Sequence, residues 1–308
     1  MKGWVCAAAL LTLACSSGGG RPTAPSCAGT VPPPTKLAKG THVFIVTVDG
    51  MRPELVNPVD APVLHALLPH ATRAMKAKTV NPSVTLPAHM SIVTGLTPEQ
   101  HGVSWNTWTA RDSPLQAMTV FEVARAAGLS TALFTGKKTL QCLGGARPPE
   151  LAGASDRDDA EVMTEALSHV GQSGPSLMLI HLPGVDEAGH ADGWLGDAQR
   201  KAMRIADEQI GRLLQRIRQA TLAEQSVLIV TADHGGLGRA HDGGGPEDLT
   251  VPWIVWGAGV RPQDVAPVCV TATAGVALAA LGLEPPPARP TVARAAAPPR
   301  GVRWDGAK

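Results

Sequence analysis

The sequence predicts an α/β fold on a mainly parallel sheet, and three observations carry that expectation. Four runs of β-branched and aliphatic residues read as buried parallel strands: HVFIVTVDG (42–50), LSTALFTG (129–136), SLMLIHLPG (176–184) and SVLIVTADHGG (226–236). Helical patterns lie between them, and such alternation is the pattern of a parallel α/β sheet. With 44% hydrophobic and 17% charged residues in a chain of 308, a single sizeable core is within reach.

Taken in order, the chain opens on MKGWVCAAALLTLAC, one lysine and then an apolar stretch too short to span a bilayer, closing on Cys15. That is an export signal of lipoprotein type over residues 1–15, followed by a flexible linker over 16–40. The expected product is exported and held on the membrane by a lipid on Cys15, on the periplasmic or cell-surface side. The rival expectation is ordinary signal cleavage nearby and a soluble product. Cys27, Cys142 and Cys269 remain after processing; their spacing matches no zinc–thiolate pattern, which leaves buried thiols or one bridge.

After the first strand, VTLPAHMSIVTG (84–95) reads as a short helix opened by Pro87, with Thr85 either its N-cap or something chemical. Shorter helices are expected over 119–128, stopped by Gly128, and over 158–170. In 197–220, Ala202, Ile205, Ala206, Ile210, Leu213, Leu214 and Ile217 recur at helical spacing. VPWIVWG (251–257) reads as a fifth strand, and the proline- and alanine-rich 284–308 as a low-complexity tail, leaving 41–283 as the folded domain. The formal net charge of +1 without a long basic run removes the electrostatic footprint of a nucleic-acid polymer partner. With no tyrosine and three phenylalanines, few rings are on hand to stack a base.

The chemistry sits where strands end. Asp49 closes the first strand, Asp186 and His190 follow the third, and Asp233, His234 and His241 follow the fourth. In open α/β sheets ligands bind outside the carboxyl ends of the strands, so these groups gather on one edge. Glycines around each cluster let the backbone bend so that side chains converge. Three aspartates and three histidines suit zinc, with manganese or iron also possible. One strand-end Asp-Gly is ordinarily a turn, and one histidine ordinarily structural, but six such coincidences at strand ends are a metal constellation. His42, His65, His70, His101, His169 and His181 lack this setting and read as structural or surface residues; His89, four after Thr85, fits either role.

VTVDGMRPE, NPSVTLPAHMSIVTGLTPEQHGV, GVDEAGH and TADHGGLGRAH, in this order, closely resemble the type I phosphodiesterase/nucleotide pyrophosphatase family of the alkaline phosphatase superfamily. The resemblance implies an alkaline-phosphatase-like α/β sandwich, a mostly parallel central sheet with helices on both faces and a two-metal site. It implies one zinc held by Asp49, Asp233, His234 and the Thr85 oxygen, and another by Asp186, His190 and His241. It further implies that Thr85 is the nucleophile, cleaving a small phosphate diester through a covalent phosphothreonine. Asn106, with the backbone N–H of Leu86, would stabilise the nonbridging oxygen. The alternatives are a phosphomonoesterase or phosphonate hydrolase of the same superfamily, or an inactive surface-anchored binding protein. Sulfatase chemistry is disfavoured, because Thr85-Leu86-Pro87-Ala88-His89 lacks the C/S-x-P-x-R pattern. No lysine or arginine lies between Pro82 and Thr109, which favours a diester over a dianionic monoester, although Arg52 and Lys137 each follow a strand end and could reach in.

Replacing the expected lipid-bearing residue, Cys15→Ser, is expected to move the protein from the membrane to the soluble fraction with turnover unchanged. Fractionation of the producing cells checks this, and a wild-type protein already wholly soluble would contradict it.

Overall fold

The computed structural model describes residues 31–32, 34, 40–107, 117–145, 151–154, 156–171 and 173–285. The signal and Cys15, Cys27, nearly all of the linker and of the tail, and Trp108 lie outside them. The strands are β1 (His42–Val48), β2 (Thr72–Lys78), β3 (Thr131–Thr135), β4 (Leu151–Ala154), β5 (Leu177–Leu182), β6 (Ser226–Thr231), β7 (Thr250–Gly257) and β8 (Gln263–Asp264). The helices are α1 (Pro62–Leu67), α2 (Thr85–Thr94), α3 (Pro98–His101), α4 (Val120–Ala126), α5 (Asp159–Ser168), α6 (Gly184–Asp192), α7 (Asp197–Gln219), α8 (Pro246–Leu249) and α9 (Ala272–Ala280).

The strands form one eight-stranded sheet in the order β4-β3-β5-β1-β6-β7-β2-β8. The first five run parallel, and β7 is antiparallel to both β6 and β2. Helices α2, α4 and α9 pack on one another, α1, α5 and α6 each pack on α7, and strands β1, β5 and β6 are buried along their full length between such layers. The result is the α/β sandwich the sequence predicts. Among the described residues no helix is long and apolar enough to cross a membrane.

Four elements differ from the sequence expectation. VPWIVWG is a strand, but an antiparallel one. Strand β2, TRAMKAK, carries none of the β-branched runs that mark strands and is formed by its pairing with β7. GVDEAGHAD, expected as a glycine-bent segment, is helix α6: Gly184 N–H donates to the Asp159 carboxylate (2.9 Å), and Asp186 and Glu187 lie in the first turn, where acids suit the helix dipole. In α7 the buried face runs through Met203, Ala206, Ile210, Leu213, Leu214 and Ile217, and Ile205 turns outward at 42% exposed. Asp207 takes a place on that face by accepting the Val63 and Leu64 N–H groups at the start of α1 (2.8 and 2.9 Å).

The register sets the site. Thr135 of β3 pairs with His181 of β5, His181 with Thr47 of β1, and Thr47 with Thr231 of β6. Lys137, Asp49 and Asp233 each lie two residues beyond that line, so three separate strands deliver their charged residues at one height. Helix α6 starts from the same edge after β5.

Candidate metal centre

Asp49 Oδ1, Asp186 Oδ1, Asp233 Oδ2 and His234 Nε2 are buried polar atoms without a hydrogen-bond partner. They surround one point. His234 Nε2 is 3.2 Å from Asp49 Oδ1, 3.3 Å from Asp233 Oδ2 and 3.9 Å from Asp186 Oδ1. Ligands bound at about 2.0–2.1 Å in a tetrahedron stand about 3.3 Å apart, so these spacings fit a small divalent ion. An unpaired buried carboxylate is costly, and four such atoms facing one another are a cradle for a cation.

A second group adjoins the first. Asp186, His190 and His241 offer ligand atoms that all lie within 4.8 Å of one another, as do Asp49, Asp186 and His234. Asp186 Oδ1 faces both groups, 3.4 Å from His190 Nε2 and 3.9 Å from His241 Nε2. On α6, Asp186 and His190 are four residues apart and share a face. His190 is 38% exposed and marks the solvent side, whereas His234 is fully buried.

The remaining atoms of these side chains are spoken for. His234 Nδ1 is 2.9 Å from Gly235 O, His190 Nδ1 2.9 Å from Arg239 O and His241 Nδ1 2.7 Å from Ser83 O. Each Nδ1–H therefore donates to a carbonyl and each Nε2 turns toward the acids, the arrangement that orients imidazole ligands. The rings of His234 and His241 stack with centroids 3.6 Å apart. Lys137 Nζ bonds the outer oxygens of Asp49 (2.7 Å) and Asp186 (2.5 Å). His181 accepts the Gly136 N–H at Nδ1 (3.2 Å), so its Nε2–H donates to the same Asp49 Oδ2 (2.9 Å). Asp233 receives the Gly50 N–H on its other oxygen (3.2 Å).

The electrostatics ask for positive charge at the shared point. Burial works to raise the Asp49 pKa, but the Lys137 ammonium, His181 and His234 hold it well below the usual carboxylate range. Burial and the Asp49 charge push Asp233 up to about 7. Burial works against charging His234, yet Asp233, Asp49 and Asp186 raise it to about 10, and burial with the His234 charge takes His241 down to about 4. Among protein groups, Lys137 supplies positive charge on the outer side of Asp49 and Asp186, and His234 supplies it on the inner side.

Thr85 is the first residue of α2 and is buried. Val84 holds the N-cap position and no side chain caps the helix, so Thr85 is not an N-cap. His89, one turn on, ties this helix start to the centre: its Nδ1 is 2.8 Å from Thr85 O and 3.5 Å from Asp233 Oδ2, and its Nε2 meets Thr47 Oγ1 at 3.0 Å. Asn106 is also brought to the helix start, but not as expected. Its Oδ1 accepts the Leu86 N–H at 2.8 Å, so that N–H is engaged and orients the carboxamide, with the NH2 group as the donor.

All six sequence-derived acids and imidazoles thus converge. His181, read as structural, lies against Asp49; an imidazole inside the aliphatic strand LMLIHL was the available signal. Trp194, whose ring is edge-on to His190 and tilted on His241, carried no signal at all. Of the cysteines, Cys269 is disulfide-bonded and Cys142 is buried.

The family model for type I phosphodiesterase / nucleotide pyrophosphatase matches residues 43–238, more than half of the chain. Ectonucleotide pyrophosphatase/phosphodiesterase family member 3 of Rattus norvegicus is 25% identical over 214 residues, 63% of this chain and 24% of that protein. Venom phosphodiesterase 2 of Crotalus adamanteus is 25% identical over 214 residues, covering 63% and 26%. The chain spans about a quarter of the length of these relatives. Among solved structures, an inactive threonine-to-alanine variant of murine ectonucleotide pyrophosphatase / phosphodiesterase 5 in complex with AMP superposes with a TM-score of 0.69 at 12% identity, covering 81% of this chain and 97% of that one. The chain belongs to the type I phosphodiesterase / nucleotide pyrophosphatase family. The matched stretch contains every expected site residue except His241, which lies just beyond it and is grouped with Asp186 and His190 by the geometry.

Because Asp186 Oδ1 serves both groups, Asp186→Asn is expected to weaken both ions at least tenfold, whereas His241→Ala weakens one. Elemental analysis after dialysis against a graded chelator checks this; equal losses in the two variants would contradict the shared-oxygen geometry.

Proposed function

We propose that this family member is a hydrolase of small phosphate diesters that works with two divalent metal ions and a covalent phosphothreonine at Thr85. The observation that carries the reading is the set of buried, unpaired oxygens of Asp49, Asp186 and Asp233 gathered around His234 Nε2. Zinc, or manganese or iron, held by Asp49, Asp233, His234 and Thr85 on one side and by Asp186, His190 and His241 on the other, would supply Lewis acidity to the threonine hydroxyl, to the leaving oxygen and later to water.

The chain's own residues do the rest. Thr85 Oγ1 attacks phosphorus in line as it gives up its proton to solvent, the bond from phosphorus to the leaving oxygen breaks and that oxygen takes up a proton, and water then cleaves the phosphothreonine and restores the Thr85 hydroxyl. At the first position of a ten-residue helix, Thr85 stands at the positive dipole end, which favours a phosphoryl group. Asn106, anchored through its carbonyl, presents its NH2 group to a nonbridging oxygen; one such donor is worth about 2.7–4 kcal/mol. His89 holds the Thr85 carbonyl and so fixes the direction of the hydroxyl-bearing turn. The inactive threonine-to-alanine variant of the murine relative supports a threonine in this role. The reading includes export and anchoring through Cys15, supported by the pattern of residues 1–15, with 41–283 as the catalytic unit.

One observation favours a second reading, a phosphate or phosphonate monoester. The Lys137 ammonium stands between Asp49 and Asp186 and adds a cation that a dianionic substrate would use.

Thr85→Ala is expected to keep both ions and to lose more than nine-tenths of turnover, read as metal content and rate on the same preparation; a variant retaining more than about a tenth would make water the direct nucleophile. On zinc-loaded wild-type protein, kcat/KM for bis(p-nitrophenyl) phosphate is expected to exceed that for p-nitrophenyl phosphate. The reverse order would replace the diester reading with the monoester one.

A further inference from the structure

Trp194 is buried at 8% exposed, yet it stands outside the main apolar core. Its neighbours are glycines and imidazoles. The indole N–H donates to Gly50 O at 2.9 Å, and Gly50 directly follows Asp49. The ring meets His190 edge-on, with centroids 5.2 Å apart and planes at 87°, and lies 5.8 Å from the His241 ring. Its own backbone N–H donates to Gly238 O at 2.7 Å, in the loop that joins His234 to His241.

Three glycines press on this one ring. A Cβ at Gly236 would come within 2.2 Å of the indole, one at Gly189 within 2.9 Å and one at Gly50 within 3.2 Å. The first follows His234 by two residues, the second precedes His190, and the third follows Asp49. Segments from the end of β1, the middle of α6 and the loop after β6 are therefore each seated on the same rigid group, at distances only glycine allows.

A tryptophan that merely filled space would sit among aliphatic side chains. Here it takes the side of both imidazoles of the outer group, and of these His190 is held at Nδ1 by the Arg239 carbonyl. We infer that Trp194 is a positioning residue: it holds His190 and His241 at the angle at which both Nε2 atoms face Asp186, and so sets the affinity of the outer ion. The inference rests on the two-ion reading above and concerns one of its two sites. It also implies that the indole responds when that outer site fills, since two of its ring contacts are ligands.

The test uses the full chain, Zn2+ alone as the probe, and Trp194→Phe and Trp194→Ala. Phenylalanine keeps a ring but loses the indole N–H and the second ring edge; alanine removes all three contacts. Competition with a chromogenic zinc chelator is expected to show the weaker of two sites losing about 10–100-fold in affinity in the alanine variant and less in the phenylalanine variant, with the tighter site within about threefold of wild type. Zinc titration is expected to change the emission of wild-type protein at the weaker-site transition, a change missing from Trp194→Phe. Melting of the metal-free proteins separates folding from positioning, and the phenylalanine variant, which preserves bulk, is the one to read if the alanine variant does not fold. Two sites of unchanged affinity in both variants would overturn the inference, as would equal weakening of both sites in step with a lowered metal-free melting temperature. Wild-type protein that takes up no zinc would instead overturn the two-ion reading beneath it.

Discussion

Three buried carboxylates within reach of one point are the constraint on which the rest of the structure depends. Two unit charges 4 Å apart at an effective dielectric of about 20 repel by about 4 kcal/mol, and oxygens of Asp49, Asp233 and Asp186 lie 3.2, 3.3 and 3.9 Å from the same His234 nitrogen. The fold answers with cations and donors placed on the outer faces of the carboxylates: Lys137 on Asp49 and Asp186, His181 on Asp49, the Gly50 N–H on Asp233. The inner oxygens are left bare and aimed at His234. Such a division of each carboxylate into a bonded oxygen and a bare one is what monodentate metal ligation requires, and a purely structural ion cluster would have paired both.

The sheet makes this arrangement possible because parallel strands end at one height. Lys137, Asp49 and Asp233 are equivalent in register, and α6 and α2 add Asp186, His190 and Thr85 from above that edge. Helix α2 does two things there. It brings its N-terminus, with Thr85 first, to the acids, and through His89 it is bonded both to Thr47 inside the sheet and to its own first carbonyl. A threonine so held has its hydroxyl free for chemistry because Val84, not Thr85, occupies the cap position.

Much of this was legible in the sequence, for a physical reason. Buried parallel strands must be apolar throughout, so a charged residue at the end of such a run stands out, and Asp49 and Asp233 did. Asp186 and His190 were legible as a pair at a spacing of four, although the glycines around them concealed that the pair lies on a helix. What the sequence could not carry was anything set by pairing between distant strands. His181 reaches Asp49 across 132 positions, and only the β1–β5 register brings them together. Lys137 was visible as a residue able to reach in, but not as the bridge between two acids. Strand β2 was hidden because TRAMKAK gains its strand character from β7. The resemblance pointed to Asn106, and the bond from Leu86 N–H to its carbonyl reverses the expected sharing of donors. Trp194 follows a glycine in a polar stretch, where nothing in the local pattern separates it from a surface residue.

The central claim is that the bare inner oxygens and the imidazole nitrogens bind two ions, one on each side of Asp186. Diffraction data from crystals grown with zinc, collected on either side of the zinc absorption edge, test this most directly. The account predicts two anomalous peaks per chain, one among Asp49, Asp233 and His234 and one among His190, His241 and the Asp186 carboxylate. A map with no peak at this edge of the sheet, or with Lys137 still the sole cation between Asp49 and Asp186 at saturating zinc, would contradict it.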